Sequence, residues 1–255
     1  MTVSSVIIKI MTLSVQEGFG RVCMVKLCKL PILLILLVSV FPVFSQEIVT
    51  ADKYLEYVSE RYAAIKDYEA NVTIRSGSAD MIGTLSFLNP NLLRIDFAKP
   101  TEQVLVFNGE LLTVYIPELR AVLNQTVAPM RRTNSPASGV SLASAQGLQL
   151  LRRGYVPAFM SGPDPVPLDE RDRELAVKLR LTRRIASEGF REIILSINPE
   201  TLLIRRIEGR TIADVLVRFD FSDIKTNIGI PEQRFVYDSP ASANLYNNFL
   251  FRDSD

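Results

Sequence analysis

The sequence predicts an α+β fold that is mainly β, an antiparallel sheet of about eleven strands curled around two helices. Three observations carry this. Apolar and polar residues alternate with period two in segment after segment between residues 68 and 221. Short turns bearing Asn-Pro, Lys-Pro and Asn-Gly pairs join most of those segments, and tight connections make neighbouring strands antiparallel. Only two stretches, near 52–66 and 141–151, show helical spacing. Eleven strands spaced about 4.8 Å apart are far wider than two helices can cover. The sheet must therefore curl, and any incomplete filling leaves an apolar cavity suited to acyl chains.

The elements follow in order. Asp52 is a candidate cap for a helix running to about Lys66, with Leu55, Val58, Tyr62 and Ile65 on one stripe. Strands are expected at 68–76, 81–88 and 92–97, separated by Gly77-Ser78-Ala79-Asp80 and Asn89-Pro90-Asn91. Strands 103–107 and 110–116 flank Asn108-Gly109, a strong hairpin signal. A two-residue turn there pairs Phe107 with Glu110, Leu105 with Leu112 and Gln103 with Val114. A short strand at 121–125 follows. Residues 126–170 read as a helix and loop insertion, Ser141 capping a helix with Leu142, Ala145, Leu148 and Leu151 on one stripe. The proline-rich stretch 154–170 reads as an irregular loop, and 126–170 as a whole reads either as a plain surface insertion or as a mobile flap. Strands return at 175–182, 190–197, 201–209 and 213–221, with a last edge strand at 235–237.

The N-terminus reads as an address. Lys26 and Lys29 precede an uncharged apolar run at residues 30–44, and Val43-Phe44-Ser45 ends it, the layout of a secretory signal peptide cut near Ser45. The run is short for a membrane span, although an uncleaved anchor has the same outline. Met24 is a candidate true start. Residues 46–255 then form one domain, exported to an envelope compartment. Both cysteines, Cys23 and Cys28, lie before the cut, so the remaining chain has no disulfide and no thiolate.

Composition excludes more. The 255 residues contain no histidine and carry a net charge of +1. A Ser/His/Asp triad and a histidine-ligated metal are impossible, and there is no electrostatic footprint for nucleic acid. Asp164 and the run Asp169-Glu170-Arg171-Asp172 supply carboxylates, but no nucleophile or oxyanion donor accompanies them. No enzyme, cofactor or metal site is expected. The basic pairs Arg131-Arg132, Arg152-Arg153, Arg183-Arg184 and Arg205-Arg206 read singly as solvated surface, and together as a surface for acidic lipid headgroups or an acidic partner.

Gly83-Thr-Leu-Ser-Phe87, Asn89-Pro90-Asn91-Leu92-Leu93-Arg94, Pro100, Gln103-Val-Leu-Val-Phe-Asn-Gly109, Leu112-Thr-Val-Tyr115-Ile-Pro117 and Gln125 stand in a distinctive order. From Gly83 to Gln125 the chain resembles the periplasmic outer-membrane lipoprotein carrier family, the LolA-like proteins. The resemblance implies an open, curved antiparallel half-barrel of eleven strands with helices plugging its concave face. It implies a monomeric periplasmic carrier that shelters the acyl chains of lipoproteins or other diacyl lipids. Its expected partners are an inner-membrane release complex and an outer-membrane acceptor. The alternative is a lipid- or protein-binding stress-sensing module of the same half-barrel.

The candidate acyl-chain-binding face comprises Leu93, Ile95 and Phe97, with Leu105, Leu112 and Val114 beside them. Ordinary core packing would produce the same pattern. The family usually places an arginine latch where this chain has Asn89, and a neutral amide cannot make the arginine's fork of charge-assisted bonds.

Overall fold

Thr50 starts the first helix. Its extended backbone and its hydroxyl, which accepts the Lys53 N–H at 3.2 Å, cap α1 (Ala51–Ala63). The cap is thus Thr50 rather than Asp52, which lies in the first turn where its charge complements the helix dipole. Leu55, Val58 and Tyr62 form the buried stripe, and Ile65 is buried just beyond the helix end. The structure is a computed structural model describing residues 49–127, 144–170, 173–186 and 188–248. The expected signal segment, Ser141 and Arg131-Arg132 lie outside the described residues.

The strands are β1 (Asp67–Ser76), β2 (Ala79–Leu88), β3 (Leu92–Lys99), β4 (Val104–Phe107), β5 (Leu111–Ile116), β6 (Ala121–Thr126), β7 (Tyr155–Phe159), β8 (Val166–Pro167), β9 (Leu175–Arg183), β10 (Phe190–Ile197), β11 (Ile204–Thr211), β12 (Leu216–Thr226) and β13 (Asn244–Asn247). A second helix, α2 (Ala145–Gly154), precedes β7, and the Ser144 hydroxyl caps it by accepting the Gly147 N–H at 3.0 Å. The sheet order is β13-β6-β5-β4-β3-β2-β1-β12-β11-β10-β9-β7, with β8 paired to β9 alone. β7 and β13 end the order without meeting, so the curved sheet is open. Antiparallel pairing of β1 with β12 joins its two halves, setting Val72 opposite Phe221 and Ile74 opposite Phe219.

Three expectations change. Residues 154–170 are not irregular throughout, because Tyr155–Phe159 pairs with β9 as an edge strand. The strand expected at 213–221 begins at Leu216 and runs on to Thr226. Residues 235–237 do not form an edge strand, since Phe235 ends a 3-10 turn (Glu232–Phe235). The edge is supplied later by β13, parallel to β6.

One face of the sheet, called inner below, carries both helices. Leu55, Val58, Tyr62, Leu148 and Leu151 share one apolar core with Val72, Leu85, Ile95, Leu179, Leu195, Ile207 and Phe221. Gly83 shows how closely the strands approach there. A Cβ at Gly83 would stand 2.5 Å from the Asp96 carbonyl oxygen and 3.0 Å from the Phe97 Cα, where β2 and β3 change register.

The outer face is held by two segments that sequence alternation does not announce. Leu168 and Asp169 follow β8 onto β11 and β12, where Asp169 meets Arg206. Farther along, Asp67 accepts the N–H groups of Ile228 (2.7 Å) and Gly229 (3.1 Å). The chain then crosses β3. Arg94 donates to the Arg234 carbonyl at 3.1 Å, Arg234 pairs with Asp96, and Phe235 is buried.

Candidate functional site: the inner face of β3 to β6

The pleat puts Leu93, Ile95 and Phe97 of β3 on the inner face, and all three are buried in the shared core. Pairing carries that face outward along the sheet. Ile95 lies opposite Leu105 and Leu93 opposite Phe107. Leu105 lies opposite Val114 and Phe107 opposite Leu112. Val114 then meets Leu123, and Leu112 meets Gln125. The six residues expected from the sequence therefore stand on one continuous band, whose further members include Phe107, Ile116, Leu123 and Gln125.

The β4–β5 pairing corrects the expected register. Phe107 faces Leu112, not Glu110, and Leu105 faces Val114, not Leu112. The Asn108 N–H donates to the Leu111 carbonyl at 3.2 Å, and Asn108 Oδ1 accepts the N–H groups of Glu110 (3.1 Å) and Leu111 (2.8 Å). The turn is thus centred on Gly109-Glu110, with Gly109 at φ +99° supplying the left-handed geometry. A displacement of two residues preserves the faces, which is why Leu105 and Leu112 still share one. Phe107, Ile116 and Leu123 were missed, although period-two counting from Leu105 and Val114 reaches each of them.

Burial changes along the band. Beside the helices Leu93, Ile95 and Phe97 are buried. Away from them Leu105, Phe107, Val114, Ile116 and Leu123 are only half-buried, while Leu112 is buried. No described residue of this band is charged. Deeper in the core, burial pushes the Tyr62 phenol up to about 12, and its oxygen accepts the Ile204 N–H at 3.1 Å. Burial likewise raises Tyr68, whose ring lies 5.2 Å from that of Phe87. These phenols stay neutral, so the environment under α1 is uncharged and suited to hydrocarbon.

Asn89 is exposed in the β2–β3 turn, where its position continues the inner-face series Leu85 and Phe87. Its N–H donates to the Lys66 carbonyl at 2.8 Å, just beyond the C-terminal end of α1. A separate cleft of about 250 Å³ opens on the outer side, lined by Leu92, Asn108, Glu232, Gln233, Phe235 and Val236. The basic pairs part company. Arg205 and Arg206 are bound to Glu174 and to Asp169 and Asp220, and Arg152 pairs with Asp52 at 3.1 Å.

The family described as "Outer membrane lipoprotein carrier protein LolA" matches residues 73–146, which include the end of β1 and all of β2 to β6. An outer-membrane lipoprotein carrier protein of Bordetella avium is 24 % identical over 197 residues, covering 76 % of this chain and 85 % of that protein. Among solved structures, an uncharacterized conserved protein of Thermus thermophilus has 15 % identity and a TM-score of 0.49, with 75 % of this chain and 98 % of that one covered. A LolA superfamily protein of Nitrosomonas europaea has 17 % identity and a TM-score of 0.38, with 74 % and 98 % covered. The match at 73–146 spans the strands that carry the apolar band and contains the motifs from Gly83 to Gln125, and over that region the chain is similar to the LolA-like proteins.

Proposed function

We propose that the chain is a periplasmic carrier that shelters lipoprotein acyl chains on the inner face of β3 to β6 and moves them towards the outer membrane. The supporting observation is the half-buried, uncharged band of Leu105, Phe107, Val114, Ile116 and Leu123 beside a packed core. Each methylene buried there contributes about 0.8 kcal/mol, so a short stretch of acyl chain offsets the cost of ordering it. Leu93, Ile95, Phe97 and Leu112 form the deeper part of the proposed lining. Reaching them requires the helices to give way, and a carrier needs two such states of similar free energy. Asn89, close to the end of α1, is the proposed gating position. The LolA family consists of carriers rather than enzymes, and lipoproteins with their loading and acceptor complexes are the proposed partners.

A fluorescent diacyl probe tests this. The purified chain should bind it, and Leu105→Glu or Val114→Glu should weaken binding at least tenfold, because a carboxylate there meets hydrocarbon. Both positions are half-buried, so the variants should keep the unaltered protein's circular dichroism. Absence of probe binding by the unaltered chain overturns the proposal.

A further inference from the structure

Two hairpin tips stand side by side at one end of the sheet. The β9–β10 turn and the β11–β12 turn are neighbours because β10 pairs with β11, Phe190 lying opposite Thr211. Arg191 ties them together, its guanidinium donating to the Ile212 carbonyl at 2.7 Å. These tips carry large apolar side chains outward. Ile185, Ile212, Val215 and Leu216 are each 43–49 % exposed. Such residues have no part in the core, and they fall together at the tips rather than singly over the surface.

Charge is arranged around them. Arg210 is neutralised by Asp214 at 3.2 Å. Arg183, Arg184 and Arg191 form no ion pair among the described residues. Their guanidinium groups donate instead to the carbonyls of Ala186 (3.3 Å), Tyr155 (3.0 Å) and Ile212. Those bonds fix the side chains at the tips and leave their positive charge uncompensated. Glu188 is the single remaining carboxylate of the two turns. The opposite end of the sheet differs, since its turns carry Asn89, Asn91, Asn108 and Asn198.

We infer that this end docks on an anionic lipid surface, with Ile185, Ile212, Val215 and Leu216 entering the headgroup layer and Arg183, Arg184 and Arg191 meeting lipid phosphates. Apolar tips ringed by uncompensated arginines complement such a surface, where each arginine strengthens attraction and short apolar side chains reach the acyl boundary. An acidic protein surface offers the charge but not the hydrocarbon depth for four exposed aliphatic groups. The inference does not depend on the acyl-carrier proposal, because the tips lie apart from the β3–β6 band.

Vesicle co-sedimentation tests it. The readout is the affinity for phosphatidylglycerol-containing vesicles relative to phosphatidylcholine vesicles, so that any uncharged contribution from the N-terminal apolar run cancels. The full chain should prefer anionic vesicles, and the preference should fall as salt rises. Arg183→Glu with Arg184→Glu should reduce that ratio at least tenfold. The corresponding lysine variants should retain it, and Ile185→Ser with Ile212→Ser should lower binding to anionic vesicles. All variants should bind the diacyl probe like the unaltered chain, which separates this inference from failure of the acyl site. No preference for anionic vesicles, or an equal preference in the glutamate variant, overturns it. So does arginine-dependent retention on polyglutamate without vesicle binding, which would mark the end as a protein-binding surface.

Discussion

Arg206 donates two parallel hydrogen bonds of 2.7 Å to the two carboxylate oxygens of Asp169. The pair fastens the segment after β8 to the outer face of the sheet, and Asp220 on β12 takes the remaining side of the guanidinium. Burial alone would lower the arginine's proton affinity, but bonds to Asp169 and Asp220 more than offset this and raise it. The Arg206 side chain is only 7 % exposed. Arg206→Ala is expected to cost about 1.5–3 kcal/mol, the range for hydrogen bonds to charged groups. The cost stays below that of a stranded buried charge because Arg218 still binds Asp220 at 2.7 Å. Urea unfolding measures it, and a change below about 0.5 kcal/mol would show the pair to be ornamental.

Acid should loosen the same fastening. The hydrogen bonds from Arg206 hold the Asp169 carboxyl at about 2, below its ordinary 3.8. A depressed acid contributes stability that is present above its unfolded value and lost as pH falls through its folded value. The difference in urea midpoint between the unaltered chain and Asp169→Asn should therefore be constant above about pH 4 and close towards pH 2. A gap that persists unchanged at pH 2 contradicts this assignment. Because half of the Asp169 side chain is exposed, solvent screening keeps the effect modest.

Phe235 anchors the C-terminal crossing. It is 2 % exposed beneath a segment whose other contacts are largely polar, including the Arg94 and Asp96 bonds to Arg234. Phe235→Ala should cost about 3 kcal/mol if the segment stays in place. Release of the segment would cap that loss, and the signature would then be faster hydrogen exchange in β13 with little change in β9 to β11. Uniformly faster exchange throughout the sheet would argue against a locally anchored strap.

At Gly83 the prediction concerns backbone proximity. Alanine would place its Cβ 2.5 Å from a main-chain oxygen, which no side-chain rotation relieves. Gly83→Ala should destabilise by about 1–3 kcal/mol, the cost of overpacking that moves backbone. Thermal unfolding reports it, and a neutral result would mean that β2 and β3 slide apart freely.

Asn89→Arg examines gating. An arginine at this turn would stand near the end of α1, where cations are favoured by the helix dipole and by free carbonyls. It should slow association of a diacyl probe while leaving the melting temperature within a few degrees. Unchanged association kinetics would place gating elsewhere in the fold.

Much of this protein was legible in the chain. Ten of the strands, both helices and the faces of Leu93, Ile95, Phe97, Leu105, Leu112 and Val114 follow from alternation, because a pleated strand commits every second side chain to one side. Even the mistaken hairpin register spared those faces, since its error was two residues. The turn centre itself was decided by the hydrogen bonds of Asn108 to Glu110 and Leu111, which the Asn-Gly pair does not specify. Long-range partners settled the rest. Arg205-Arg206 and Arg183-Arg184 look alike in sequence, yet Arg205 and Arg206 are held by Glu174, Asp169 and Asp220 while Arg183 and Arg184, at a hairpin tip, form no ion pair among the described residues. Phe235 read as an edge strand because local pattern cannot reveal that a distant segment crosses the outer face of β3. Local periodicity fixes which way a side chain points, but only closure of the whole sheet brings residues more than a hundred positions apart into contact and decides what each one meets.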